Sequence, residues 1–187
     1  MKRGTTQKCG ICLLLFAVII SHGCHYSYQS YNKGLEKYHL GDFEGAIEDF
    51  TRAIEIDPNN AKAYYSRAIA FEKLSDPYSA VGDYTKAIEI NPNFAEAYNN
   101  RGCLMVGEED YEEAIKDFTN AIKIKPNYAT AYFNRGRAWK GLREYINAIK
   151  DFKRSMELNP LQSVRALKEI KFCESKIKKV INKMRRN

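Results

Sequence analysis

Histidine and cysteine are scarce in this chain, with three of the first and five of the second spread over 187 residues. Metal and thiol chemistry needs such side chains gathered in a motif, and none is gathered here. His22 and His25 lie near the amino terminus and His39 stands alone, so neither a ligand cluster nor a base beside a nucleophile can be assembled. A Gly-rich phosphate loop is also missing. No metal or cofactor is therefore expected, and the chain reads as non-catalytic. No apolar run reaches the ~18 residues that a membrane-spanning helix needs, which excludes polytopic transporters and channels. What the chain does hold is 44% apolar residues, including 13 Tyr and nine Phe, enough to bury a core. Its 28% charged residues set it apart from collagen-like and low-complexity chains.

The formal charge of +7 is unevenly placed. Residues 1–23 carry Lys2, Arg3 and Lys8 and no acid, residues 24–162 carry 18 basic and 21 acidic side chains, and residues 163–187 carry nine basic and two acidic. The basic character thus belongs to the two ends, and an all-over nucleic-acid-binding surface does not follow from it.

At the amino terminus those three cations precede an apolar stretch from Ile11 to Ile20, the grammar of an export signal. The stretch stops at Ser21-His22-Gly23-Cys24, where a small residue directly precedes a cysteine. This resembles the lipobox of bacterial lipoproteins, and the resemblance implies that residues 1–23 are removed and that Cys24 becomes the acylated first residue, followed by a short linker over 24–30. Several acyl chains, at about 0.8 kcal/mol per buried methylene, hold a small domain on a membrane where one would not. The location implied is the bacterial cell envelope, lipid-anchored; a secreted or periplasmic protein and an uncleaved amino-terminal anchor are the alternatives. Cys9 and Cys12 have C-x-x-C spacing but fall inside this signal, where they read as small apolar residues.

Four of the five prolines, Pro58, Pro92, Pro126 and Pro160, are spaced by 34 residues. Aligning on them gives units 27–60, 61–94, 95–128 and 129–162 in which the same chemistry returns in register. Ala46, Ala80, Ala114 and Ala148 share one place; Phe50, Tyr84, Phe118 and Phe152 follow four later; Ala53, Ala87, Ala121 and Ser155 follow three beyond. Spacings of four and three put these on one face of a helix. Earlier in each unit, Tyr64, Tyr98 and Tyr132 precede Ala68, Gly102 and Gly136 by four, predicting another helix whose small residue lets a partner approach. Asp42, Asp76 and Asp110 are expected to cap the second helices, with Pro77 in the first turn of one of them. The aligned prolines are expected to end those helices, because the residue before proline is pushed out of the α region.

These residues resemble the tetratricopeptide repeat, a 34-residue helix-turn-helix family, over about 136 of the 187 positions. The motifs Ala-Tyr-Asn-Asn-Arg-Gly at 97–102 with Tyr-Glu-Glu-Ala-Ile-Lys-Asp-Phe at 111–118, and their counterparts at 131–136 and 145–152, carry the resemblance most closely. It implies an all-α fold: a right-handed α-solenoid of four helical hairpins, closed by a capping helix. The segment 163–187 supplies that helix, with apolar Val164, Leu167, Ile170, Cys173, Ile177, Ile181 and Met184 three or four apart. In the first unit Ser30 and Lys37 stand where the family has large apolar residues, so this unit is either a polar end cap or partly frayed. A terminal repeat has one neighbour only, which favours the cap.

Arg67, Arg101 and Arg135 recur on the first helices and Asp49, Asp83, Asp117 and Asp151 on the second. In an antiparallel hairpin Arg101 faces Asp117 and Arg135 faces Asp151, so the pairs either fix register or leave an arginine row for acidic ligands. In the tetratricopeptide family the inner wall is lined by first helices and takes a peptide or protein segment. Carried over, Tyr31, Tyr65 and Phe133 share one place and form an aromatic ladder, Asn99, Asn100 and Asn134 offer hydrogen bonds to a backbone, and Arg137 and Lys140 add charge. The alternative is that some of these rings fill the seam between helices. Tyr65, Ile69 and Glu96 stand where the carboxylate clamp of chaperone-tail binders needs other residues, so that ligand is not expected. Trp139 is expected to pack between helices, and Cys103 and Cys173 to remain free thiols.

The function that follows is a protein-interaction scaffold, with a protein or peptide in the groove, a membrane contact through the amino-terminal anchor, and neither nucleic acid nor a small-molecule substrate. The alternative rests on the basic tail from Lys168 to Arg186, which would bind an anionic membrane surface or nucleic acid with steep salt dependence.

Overall fold

Proline sets where the helices stop. Asp57, Lys125 and Asn159, which precede Pro58, Pro126 and Pro160, have φ of −129°, −129° and −142° with ψ near 90°, outside the α region. In this computed structural model, which describes residues 25–185, the helices are α1 (25–40), α2 (Phe43–Ile56), α3 (Ala61–Lys73), α4 (Pro77–Ile90), α5 (Ala95–Gly107), α6 (Tyr111–Ile124), α7 (Ala129–Gly141), α8 (Tyr145–Leu158) and α9 (Ser163–Met184). A 3₁₀ turn, Pro160–Gln162, joins the last two. The expected signal, the candidate lipidated Cys24 and the Cys9/Cys12 pair lie outside the described residues. Among the described residues no helix is long and apolar enough to cross a membrane.

Helix starts agree with the sequence in part. The Asp42 carboxylate accepts from the Gly45 backbone N–H at 2.9 Å, and Asp76 accepts from Ser79 at 3.1 Å with Pro77 opening α4. Asn60 caps α3 in the same way, accepting from Ala63 at 3.1 Å. Asp110 does not: its side chain makes no capping bond to α6, and Glu112 and Glu113 in the first turn place negative charge at that helix end instead. Within each hairpin the turn passes through one residue of positive φ, Gly41 at 82°, Ser75 at 59°, Glu109 at 62° and Arg143 at 62°. At each of these turns the following N–H returns to a carbonyl five residues back, as Asp42 does to Lys37 at 3.0 Å and Glu144 to Trp139 at 2.9 Å, closing the first helix.

The chain divides into two compact units, one ending at Ile90 and the other starting at Asn91. In the first, α2 packs on α3 and α3 on α4, while Tyr31, Leu35 and Tyr38 of α1 pack on Ala46, Phe50 and Ala70. In the second, α5 to α9 each pack on the next helix in sequence. Hairpins thus stack within each unit as an α-solenoid stacks them, with the aligned Phe50, Tyr84, Phe118 and Phe152 all fully buried. The close approach expected at Gly102 and Gly136 is real: a Cβ there would meet the ring of Phe118 or Phe152 at 2.9 and 2.8 Å, and Gly34 of the first unit, not singled out from the sequence, lies against Phe50 in the same way at 2.6 Å.

Two departures from the periodic pattern have physical explanations. Lys37, polar where an apolar side chain is expected, holds its ammonium 2.7 Å from the Asp49 carboxylate and donates to the Gly45 carbonyl at 3.3 Å, so it bridges the first hairpin as arginine bridges the others. On α9 the expected stripe is buried only where a hairpin lies beneath it. Ala166, Ile170 and Cys173 join Phe133, Ala148 and Phe152 in one cluster with Trp139 against it, whereas Val164, Leu167, Ile181 and Met184 are exposed. Neither Cys103 nor Cys173 is in a disulfide, and burial pushes the pKa of Cys173 up.

Candidate functional site

In the second, third and fourth hairpins an arginine of the first helix is held by an aspartate of the second. Arg67 donates from Nε and Nη2 to the two oxygens of Asp83 at 2.7 and 2.8 Å, Arg101 to Asp117 at 2.8 and 2.8 Å, and Arg135 to Asp151 at 2.7 and 2.9 Å. Each guanidinium also stacks on the tyrosine three residues before it, at 5.6, 5.9 and 5.6 Å from the rings of Tyr64, Tyr98 and Tyr132. The hydrogen bond to aspartate, offset in part by burial, raises the pKa of Arg67 and Arg101 above the ordinary arginine value. The remaining Nη1 of Arg67 donates to Thr51 at 2.9 Å and that of Arg135 to Thr119 at 3.1 Å, tying each hairpin to the one before it. Sequence reasoning overlooked these threonines, although Thr51, Thr85 and Thr119 repeat with the same 34-residue period. The arginines are thus engaged in register-fixing contacts, which favours the first of the two readings of that row.

In the first unit the candidate wall is built on α1 and α3. Tyr31 is half-buried, its ring 5.7 Å from Phe50 and its hydroxyl 3.3 Å from Ser66 Oγ. Tyr65 is likewise half-buried, backed by Tyr84 at 5.7 Å, whose own hydroxyl donates to the Glu72 carboxylate. Lys62, Glu72 and Lys73 are exposed on the same helix, and Tyr28 is 63% exposed on α1. This wall is aromatic and carries both signs of charge.

In the second unit the wall is built on α5 and α7 and is largely engaged by the protein itself. Asn134 Nδ2 donates to Asn99 Oδ1 at 3.0 Å and lies 3.2 Å from Cys103 Sγ, and Asn99 Nδ2 donates to Asn100 Oδ1 at 3.1 Å. Asn99 and Asn134 are buried, so these amides join α5 to α7 across neighbouring repeats. Phe133 is 7% exposed, packed 5.4 Å from Phe152 with the Arg165 guanidinium 5.2 Å from its ring. This is the seam position that the sequence left as the alternative to a ladder. Lys140 reaches Glu169 at 2.7 Å and stands 5.4 Å from the Phe172 ring. Arg165, Glu169 and Phe172 all belong to α9, which therefore covers part of the fourth repeat's wall, and Arg137 of α7 is exposed. No sequence signal pointed to Arg165 or Glu169, because both lie beyond the 34-residue period that their partners Phe133 and Lys140 follow. Among the described residues no group of three His, Cys, Asp or Glu is placed to hold a metal ion.

Family profiles described as TPR repeat or tetratricopeptide repeat match residues 34–75 and 108–141, 61–94, 83–116 and 129–160. No curated protein matches by sequence. Among solved structures, the crystal structure of MamA superimposes with a TM-score of 0.76 at 24% identity, over 80% of this chain and 81% of that one. PilF of Pseudomonas aeruginosa gives 0.73 at 24% identity over 86% and 72%. The first TPR of Spaghetti (RPAP3), bound to an HSP90 peptide, gives 0.62 at 25% identity over 64% and 94%.

Proposed function

This chain belongs to the tetratricopeptide-repeat family, and from that premise we propose that it is a non-catalytic scaffold whose first helices bind a peptide or protein segment. The observation that carries the reading is Tyr65. Its ring packs against Tyr84 and remains partly exposed on the helix that also carries the exposed Lys62, Glu72 and Lys73, so it presents aromatic surface that has little freedom left to lose on binding. The solved relative with a peptide bound supports a peptide as the class of ligand. Its particular ligand is not carried over, since Tyr65, Ile69 and Glu96 replace clamp residues here.

The test is quantitative co-purification of partners with the full chain, followed by binding measurements on whatever is captured. Tyr65→Ala is expected to weaken capture by about tenfold or more, the effect of a central interface anchor, and to leave the fold intact. Capture indifferent to Tyr65→Ala and to Arg137→Glu would move the interface off the first helices.

The scaffold acts at the bacterial cell envelope, held there by acyl chains on Cys24. The cationic start, the apolar stretch from Ile11 to Ile20 and the Gly23-Cys24 step support this. A mature amino terminus whose mass equals Cys24 plus acyl chains is the expected result; an intact Met1 or a free Cys24 would remove the anchor.

A further inference from the structure

The last helix is longer than the hairpin that supports it. α9 has 22 residues and α8 has 14, so at 1.5 Å per residue the helices run about 33 Å and about 21 Å. The apolar face that begins with Ala166, Ile170 and Cys173 continues through Ile177, Val180, Ile181 and Met184, still three or four apart, past the end of its support. Val180, Ile181 and Met184 are exposed, as is Ile146 in the first turn of α8, at 74%. Between the overhang and that first turn lies a cleft of about 490 Å³ with Tyr145, Ile146, Ile177, Val180 and Ile181 supplying its apolar lining. Arg143, Lys176 and Lys179 supply its cations, and Glu144 is the one acid among the lining residues.

We infer that this cleft is a second docking site, distinct from the inner wall, for an acidic amphipathic helix of a partner protein. Apolar side chains three and four apart on such a helix fill the cleft, and acids on its flanks meet Arg143, Lys176 and Lys179. Two other occupants are disfavoured by what lines the cleft. In a two-fold contact a second copy would bring the same basic tail, nine cations to two acids over residues 163–187, against itself. A bilayer is flat, and the apolar side chains here line a concavity shared by two helices, whereas surface-lying helices offer a convex face.

The probe is a labelled helical peptide with leucines three and four apart and glutamates on both flanks, compared with the same peptide carrying lysines there. Anisotropy with the full chain is expected to show binding of the acidic form, weakening with salt, and at least about tenfold preference over the basic form. Ile146→Asp is expected to weaken it by about tenfold or more with the thermal midpoint unchanged, because that side chain is exposed, and Lys176→Glu with Lys179→Glu is expected to weaken it by as much. Val180→Asp gives a second apolar test on the other wall. Tyr65→Ala is expected to leave this binding intact, which separates this site from the inner wall. Equal affinity for both peptides, or indifference to Ile146→Asp and Val180→Asp, would overturn the inference. So would phosphatidylglycerol vesicles that bind the chain through these same residues while the acidic peptide does not compete.

Discussion

Replacing Phe152 by Ala is expected to lower the unfolding free energy by about 3–5 kcal/mol, the cost of emptying a fully buried aromatic site. The site cannot close over the loss by a small shift. On one side the ring lies against the α7 backbone, where a Cβ on Gly136 would come within 2.8 Å of it. On the other it meets the Phe133 ring in a tilted contact at 5.4 Å and shares a cluster with Ala148, Ala166, Ile170 and Cys173. Helical backbones keep their spacing, so the cavity persists and its lining loses contacts outright. Because stacked repeats hold one another through nearest-neighbour interfaces, the deficit is felt in α8 and α9 together and is large beside a total stability of about 5–15 kcal/mol. Urea unfolding followed by circular dichroism measures it, with Phe152→Leu as the smaller perturbation. A loss below about 1 kcal/mol for Phe152→Ala would mean that the ring is not the keystone of that hairpin.

The repeats were legible because each repeated feature is local physics written four times. Proline before a turn, alanine and an aromatic ring four apart, and a small residue opposite the ring are each enforced within one hairpin, so reading one copy predicts the rest. Asp42 and Asp76 capped as expected, yet Asp110 did not, since a cap depends on side-chain rotation that residue type leaves undetermined. The candidate wall was legible only as positions. Whether Phe133 is offered to a partner or covered depends on α9, a segment outside the period, and the structure lays Arg165 over it. Asn99 and Asn134 likewise read as polar groups for a ligand, and only neighbouring helices brought together could show one amide donating to the other. The overhang of α9 was hidden for the same reason: the stripe of apolar residues is continuous in sequence, and its support ends partway along.

Asp117→Asn is expected to cost about 3 kcal/mol, and the double replacement Arg101→Met with Asp117→Leu to recover most of it. The pair is bidentate at 2.8 Å in both bonds, with the arginine side chain 17% and the aspartate side chain 6% exposed. Asparagine keeps the shape but removes the charge and turns a donor toward a donor, leaving the guanidinium partly desolvated and unanswered. Breaking a buried pair in this way costs about 3–5 kcal/mol, and the residual exposure of Arg101 places this one at the low end. The net worth of the intact pair is small because both charges lost water to form it, so two apolar side chains of similar volume serve nearly as well. The exposed Arg154–Glu157 pair provides the contrast, and Glu157→Gln is expected to leave the thermal midpoint nearly unmoved. The pH dependence has a definite sign. The bond to Asp117 raises the pKa of Arg101 in the folded chain, so its contribution is complete below the unfolded arginine value and is lost only as pH rises through the higher folded one. The gap between wild type and Asp117→Asn should therefore hold from neutral to moderately alkaline pH. A thermal midpoint that Asp117→Asn leaves unmoved would show that the arginine row does not hold the hairpins, and would return it to the reading in which its charge awaits an acidic ligand.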